Sequence, residues 1–184
     1  MGVAGFALNL IIAGAYDSAT LGAFNQVYTV YILLSQVAVA GLHLSVLRHA
    51  AAHRGHPDDV LAGALAATVL VAIPVAVAGY LGSNLMGLLV DSDQVARGIR
   101  LASVGVACFA LNKVLLALHN GLALLRAFAV FQGLRVVLMV AFLAGMTLLR
   151  SPGADLPLIF TLAEAVLLVA LAAYTMRRHT VRLT

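Results

Sequence analysis

Arg135 lies about two turns inside a long apolar run and three residues after Gln132, so both side chains point near one face of a helix. A cation at that depth needs a partner. Glu164 is the one carboxylate embedded in an apolar run and is a candidate partner across the next segment, although the estimated depths of the two differ by several ångströms. Without that pairing an anionic substrate group is the natural partner, because guanidinium engages phosphate bidentately where the dielectric is low.

Asn25, Gln36 and His43 form a second polar set. Separations of eleven and seven residues, at about 100° per residue, bring them within roughly 20° of one another on a straight helix. Lipid penalises such a stripe. It should therefore face other helices, where it serves interhelical hydrogen bonding, or a wet cavity, where it lines a transport path. Asn112 and His119, seven apart, share a face near the end of another run, where His119 is expected to be solvated. His49, His53, His56, Asp58 and Asp59 resemble a metal site by spacing but lack a fuller ligand signature. They read better as a solvated turn in which the two aspartates cap the next helix, so no metal or other cofactor is expected. Cys108 reads as a small buried side chain.

Motifs for chemistry are missing. There is no GxSG with a downstream intramembrane histidine, no HExxH and no Walker A sequence, so an enzyme is not the expected class.

These residues sit in a chain that is 63% hydrophobic and only 10% charged, which makes lipid rather than water its expected solvent. The basic pI, about 9.7, does not point to nucleic acid, because the cations are spread over loops and helix ends instead of forming one face. Six spans are expected, at roughly residues 2–15, 21–47, 61–90, 101–118, 127–149 and 156–174. The fold class is thus all-α, a polytopic membrane protein occupying residues 1–184 as one domain. Pro74 falls inside the third span, which is too long for one straight crossing and should kink, tilt or protrude.

With the N-terminus inside, Arg48, Arg54, Lys113, Arg126, Arg177, Arg178 and Arg182 fall at cytoplasmic loops or span ends, against Arg97, Arg100 and Arg150 outside. That imbalance predicts a multi-pass protein of the inner (cytoplasmic) membrane with both termini cytoplasmic. The first span is short and lacks the basic flank of a signal peptide, so further sequence upstream is expected. The tail RRHTVRLT follows closely on the last span, as in a chain cut between two membrane domains.

The segment LGAFNQVYTVYILLSQVAVAGLHLSVLRHAA resembles the second helix of the polysaccharide and lipid-linked oligosaccharide flippases of the multidrug and oligosaccharidyl-lipid exporter superfamily. The matching features are Gly22 and Phe24 at its start, Gly41-Leu42, and Arg48 at its exit. LNKVLLALHNGLALLRAFAVFQGLRVVLMV is similar to that family's fourth-to-fifth hairpin, with Asn112, Gly121, Arg126 and Arg135 in the family's style. The resemblance implies two six-helix lobes around a central cavity, of which this chain supplies the N-terminal one. It further implies a glycan on a polyprenyl diphosphate as substrate, membrane lipids as surroundings, and a second lobe in cis, a second copy or a partner chain to complete the cavity. On that basis Arg135 and Arg126, with Gln132 beside them, attract the diphosphate. Asn25, Gln36, His43 and Asn112 line the sugar's path. The rivals are a drug or metabolite antiporter of the same superfamily, which would use Glu164, and a membrane scaffold subunit that transports nothing.

Overall fold

The computed structural model describes residues 2–52 and 58–178, with side chains over 5–52 and 61–177. Every regular element among them is helical: α1 (Gly2–Ala15), α2 (Ser18–Val39), α3 (Leu42–Ala52), α4 (Asp58–Leu89), α5 (Asp93–Gly121), α6 (Leu125–Leu148), a 3-10 turn (Gly153–Asp155) and α7 (Leu158–Arg178). Four stretches, Leu61–Leu89, Asp93–Gly121, Leu125–Leu148 and Gly153–Arg177, are long and apolar enough to cross a membrane. The bent pair α2–α3 makes a fifth if it is one span. The first expected span folds as α1, whose 14 residues reach only about 21 Å against roughly 30 Å of hydrocarbon. The expected count of six crossings is therefore four to five by length and composition.

The second expected span is not straight. At Ala40 and Gly41 the backbone turns left-handed, with φ of 45° and 75°, and α2 and α3 meet at a 49° bend. Gly41 tolerates that conformation because it has no Cβ, and the Ala40 N–H still donates to the Gln36 and Val37 carbonyls, so the end of α2 is capped. The third expected span keeps its helix through Pro74. Its 32 residues amount to about 48 Å, so tilt or protrusion rather than a break absorbs the excess length. α5 begins eight residues before the fourth expected span, because the Ser92 side chain accepts the Val95 N–H and caps it.

α5 is the central helix, with 67% of its most apolar stretch buried against 17% for α4. Small residues let its neighbours approach. A Cβ on Gly105 would lie 2.9 Å from the Thr161 backbone of α7, and one on Gly121 would lie 2.6 Å from the Leu47 carbonyl oxygen of α3. Around α5 an aromatic cluster joins α2 to α7, with Phe160 stacked 4.7 Å from Tyr31 and Phe24 at 5.4 Å. The outer faces carry large exposed apolar side chains, among them Leu70, Leu81, Leu88 and Val169, as expected of a surface facing lipid.

One end of the bundle gathers the turns before α2, before α5 and before α7. Asp17 caps α2 by accepting the Thr20 N–H, the Tyr16 hydroxyl donates to the Ser151 carbonyl, and Arg97 pairs with Asp155 at 2.6 Å. At the other end α3 packs on the close of α5.

Candidate functional site

Two helical stripes face each other across a cleft. On α2, Tyr28, Tyr31, Ile32, Ser35 and Gln36 recur at helical spacing, and on α6 Phe128, Gln132, Arg135, Val136 and Met139 do the same. With Phe109 of α5 they enclose about 400 Å³. Arg135 forms its floor and is only 4% exposed, so its charge must be met by protein.

It is met by Glu164, which is fully buried. Arg135 Nη2 donates to Glu164 Oε2 at 3.2 Å, and Nε lies 2.9 Å from Oε1, though off its N–H direction. Asn112 reinforces the carboxylate, donating to Oε2 at 2.8 Å and to the Glu164 carbonyl at 2.9 Å. Gln132 Oε1 takes a long contact of 3.4 Å from Arg135 Nη1, and the guanidinium carbon stands 4.8 Å from the centre of the Phe109 ring. The pairing between α6 and α7 thus forms despite the estimated difference in depth, since both side chains are long enough to close such an offset.

A smaller compartment of about 210 Å³ continues toward the end where α5 finishes, sharing Phe128 and Gln132 with the main one. His43 and Leu47 of α3 and Lys113 and Asn120 of α5 contribute to its walls. The Nδ1 atom of His43 is buried without a hydrogen-bond partner among the described residues.

The residues singled out in the sequence separate into three groups. Gln36, Gln132 and Arg135 meet in the main compartment, and His43 joins Gln132 in the smaller one. Asn112 lies behind the cleft as a fully buried support for Glu164. Asn25 and Arg126 lie elsewhere: Asn25 donates to Asn9 Oδ1 of α1 at 2.8 Å, and Arg126 is exposed in the first turn of α6. Asn25 and Gln36 share a face of the unbroken α2 but lie about 16 Å apart along it, so one meets α1 and the other the cleft, whereas the stripe as far as His43 presumes that the helix continues. The left-handed residues at 40 and 41 reset its phase before His43.

His119 is fully buried instead of solvated, with Nδ1 2.9 Å from the Leu115 carbonyl oxygen and Nε2 3.5 Å from the Thr175 hydroxyl. Cys108 is half-buried. His53 and His56, and the side chains of Asp58 and Asp59, lie outside the described residues. Among those described, no three metal-ligating side chains cluster.

Tyr28, Tyr31, Ser35, Phe109, Lys113 and Phe128 are cleft residues that composition and polarity do not reveal. Their signal is the recurrence of positions 28, 31, 32, 35 and 36 on α2 and of 128, 132, 135, 136 and 139 on α6, which reads equally well as ordinary core. The Tyr31 hydroxyl and Ser35 Oγ lie close together, one turn apart, without the geometry of a hydrogen bond, and each is buried with no other partner among the described residues. No protein-family model, no curated protein and no solved structure matches the chain.

Proposed function

We propose that the chain is one lobe of a membrane transporter that flips a lipid-linked oligosaccharide or polysaccharide precursor across the cytoplasmic membrane. The observation that carries this reading is the cleft between α2, α5 and α6, lined among long apolar helices by the polar side chains of exposed Gln36, half-buried Gln132 and buried Arg135. A purely structural bundle has no need of such a space, because polar groups inside a bilayer are costly unless they meet each other, water or a ligand. An amphiphile suits it: a polar head can meet the Gln36 and Gln132 amides while its chain lies along Ile32, Val136 and Met139. One lobe supplies one wall, and a second lobe in cis, a second copy or a partner chain completes the path.

The antiporter alternative would ask the embedded carboxylate to exchange an ion. Glu164 is instead fully buried, spoken for by Arg135 and Asn112, and outside the residues that line the cleft, which favours the flippase reading. The scaffold alternative leaves the cleft without a use.

A photocrosslinking amino acid tests the proposal directly. With Gln36 replaced by benzoylphenylalanine, irradiation of membrane vesicles should attach a lipid-linked oligosaccharide to the chain. The same replacement of Leu70, which is 74% exposed on α4, should attach bulk phospholipid only. Equal glycan capture at both positions, or none at Gln36, would overturn the reading.

A further inference from the structure

Lys113 is the only lysine in the sequence, and none of the ion pairs among the described residues includes it. It belongs to the interior of α5, two turns before the helix ends, and not to a loop. Its side chain is half-buried in the wall of the smaller compartment, and its ammonium lies 6.0 Å from the centre of the Phe109 ring. Among the described residues no carboxylate comes within 4.0 Å of it; the two ion pairs formed are Arg97–Asp155 and Arg135–Glu164.

The charges around the joined compartments therefore do not cancel. Arg135 of α6 and Lys113 of α5 bring two cations, Glu164 of α7 brings one anion, and that anion is committed to Arg135. One positive charge is left over, on the residue that is the more accessible of the two cations. Arg135 has its partners already, whereas Lys113 has an aromatic face, an amide and an imidazole nearby and space beside it.

We propose that the smaller compartment is an anion subsite in which the Lys113 ammonium, flanked by His43 and Gln132, receives a phosphate group, and that Arg135 is not the receptor. An ammonium binds phosphate as a point charge without needing a fixed fork, so it suits a group that must enter and leave. Because Phe128 and Gln132 border both compartments, a phosphate at Lys113 can carry an apolar chain that runs on into the main cleft. The inference rests on the transport reading only for the origin of the phosphate, as a lipid-borne group; a free anion would use the same atoms.

Calorimetry on the purified full chain in an amine-oxide detergent, with farnesyl diphosphate, inorganic pyrophosphate and farnesol as probes, tests this. Farnesyl diphosphate should bind, and Lys113→Gln should weaken it about 10- to 100-fold, the value of a hydrogen bond to a charged group. Lys113→Arg should keep affinity within about threefold, and the charge-neutral double change Arg135→Gln with Glu164→Gln should weaken binding less than Lys113→Gln does.

A second measurement needs no variant. An amine-reactive ester should acylate Lys113 in the unaltered protein, and farnesyl diphosphate should slow that reaction while farnesol does not, read by mass spectrometry. Protection by pyrophosphate equal to that by farnesyl diphosphate upholds the subsite with a free anion as its ligand, and weaker protection assigns it to a lipid-borne phosphate. Absence of protection, equal protection by farnesol, or affinity that follows Arg135 instead of Lys113 overturns the proposal. Protection of Lys113 without glycan capture at Gln36 would leave the subsite standing and remove the flippase reading.

Discussion

Desolvation, more than Coulomb attraction, sets what the Arg135–Glu164 pair is worth. Both groups are taken almost wholly out of solvent, at 4% and 0% exposure, and each survives there only because the other does. Arg135→Met or Glu164→Leu alone should strand a buried charge and cost about 3–5 kcal/mol, while the double substitution should recover most of that loss. Thermal unfolding followed by a thiol-reactive dye can read this, since Cys108 is the single thiol and is half-buried. Full stability in either single variant would show that the pair is not a mutual support. Arg135, Gln132, Gln36 and His43 were recognisable in the sequence because polar atoms in apolar runs are conspicuous. Tyr31, Phe109 and Lys113 were not, since aromatic side chains and a cation near a helix end are what any membrane helix carries.

At the scale of elements, the close of α5 depends on a backbone contact that only glycine allows. Gly121 presses on the Leu47 carbonyl and Ala50 of α3, whereas Gly133, on α6, has nothing within 4 Å of where its Cβ would be. Gly121→Ala should therefore destabilise by about 1–3 kcal/mol, because a carbonyl oxygen cannot be moved without moving the helix. Gly133→Ala should be neutral or stabilise by up to about 1 kcal/mol through helix propensity alone. Similar melting temperatures for the two variants would contradict the close packing of α3 on α5. Spacing and polarity in the sequence do not say which of the two glycines is a packing contact. Which one is a contact depends on the bend at Ala40 and Gly41, which turns α3 onto α5.

For the whole molecule, the turns cluster at two ends in the alternating order expected of a multi-pass chain. Tyr16, Arg97, Ser151 and Asp155 meet at one end, and Leu47, Ala50 and Gly121 at the other. Lys113 leaves the topology count because it lines the cleft, and on the positive-inside rule the remaining arginines predict that the second end is cytoplasmic. In a Cys108→Ser background, Ala154→Cys should react with an impermeant thiol reagent on intact cells, and Ala52→Cys should react only after the membrane is permeabilised. The reverse pattern would invert the orientation and the side from which the Lys113 compartment is reached.

Composition and the recurrence of long apolar runs were enough to determine the solvent and the all-helical class, because covering backbone polar groups in lipid leaves a helix as the local solution for each run. They also sufficed to mark Arg135 as needing a partner, since burying a charge has a cost wherever it happens. They did not determine where α2 breaks, which of Asn25, Gln36 and His43 reach the cleft, or that Glu164 rather than a ligand meets Arg135. Those outcomes depend on the angles and offsets between helices, which arise from the sum of many small packing contacts such as Gly105 on Thr161 and Phe160 on Tyr31. Only the assembled bundle could leave Lys113, among the described residues, as a cation of the cleft with no carboxylate beside it, because a surplus of charge belongs to a set of neighbours and not to any one residue.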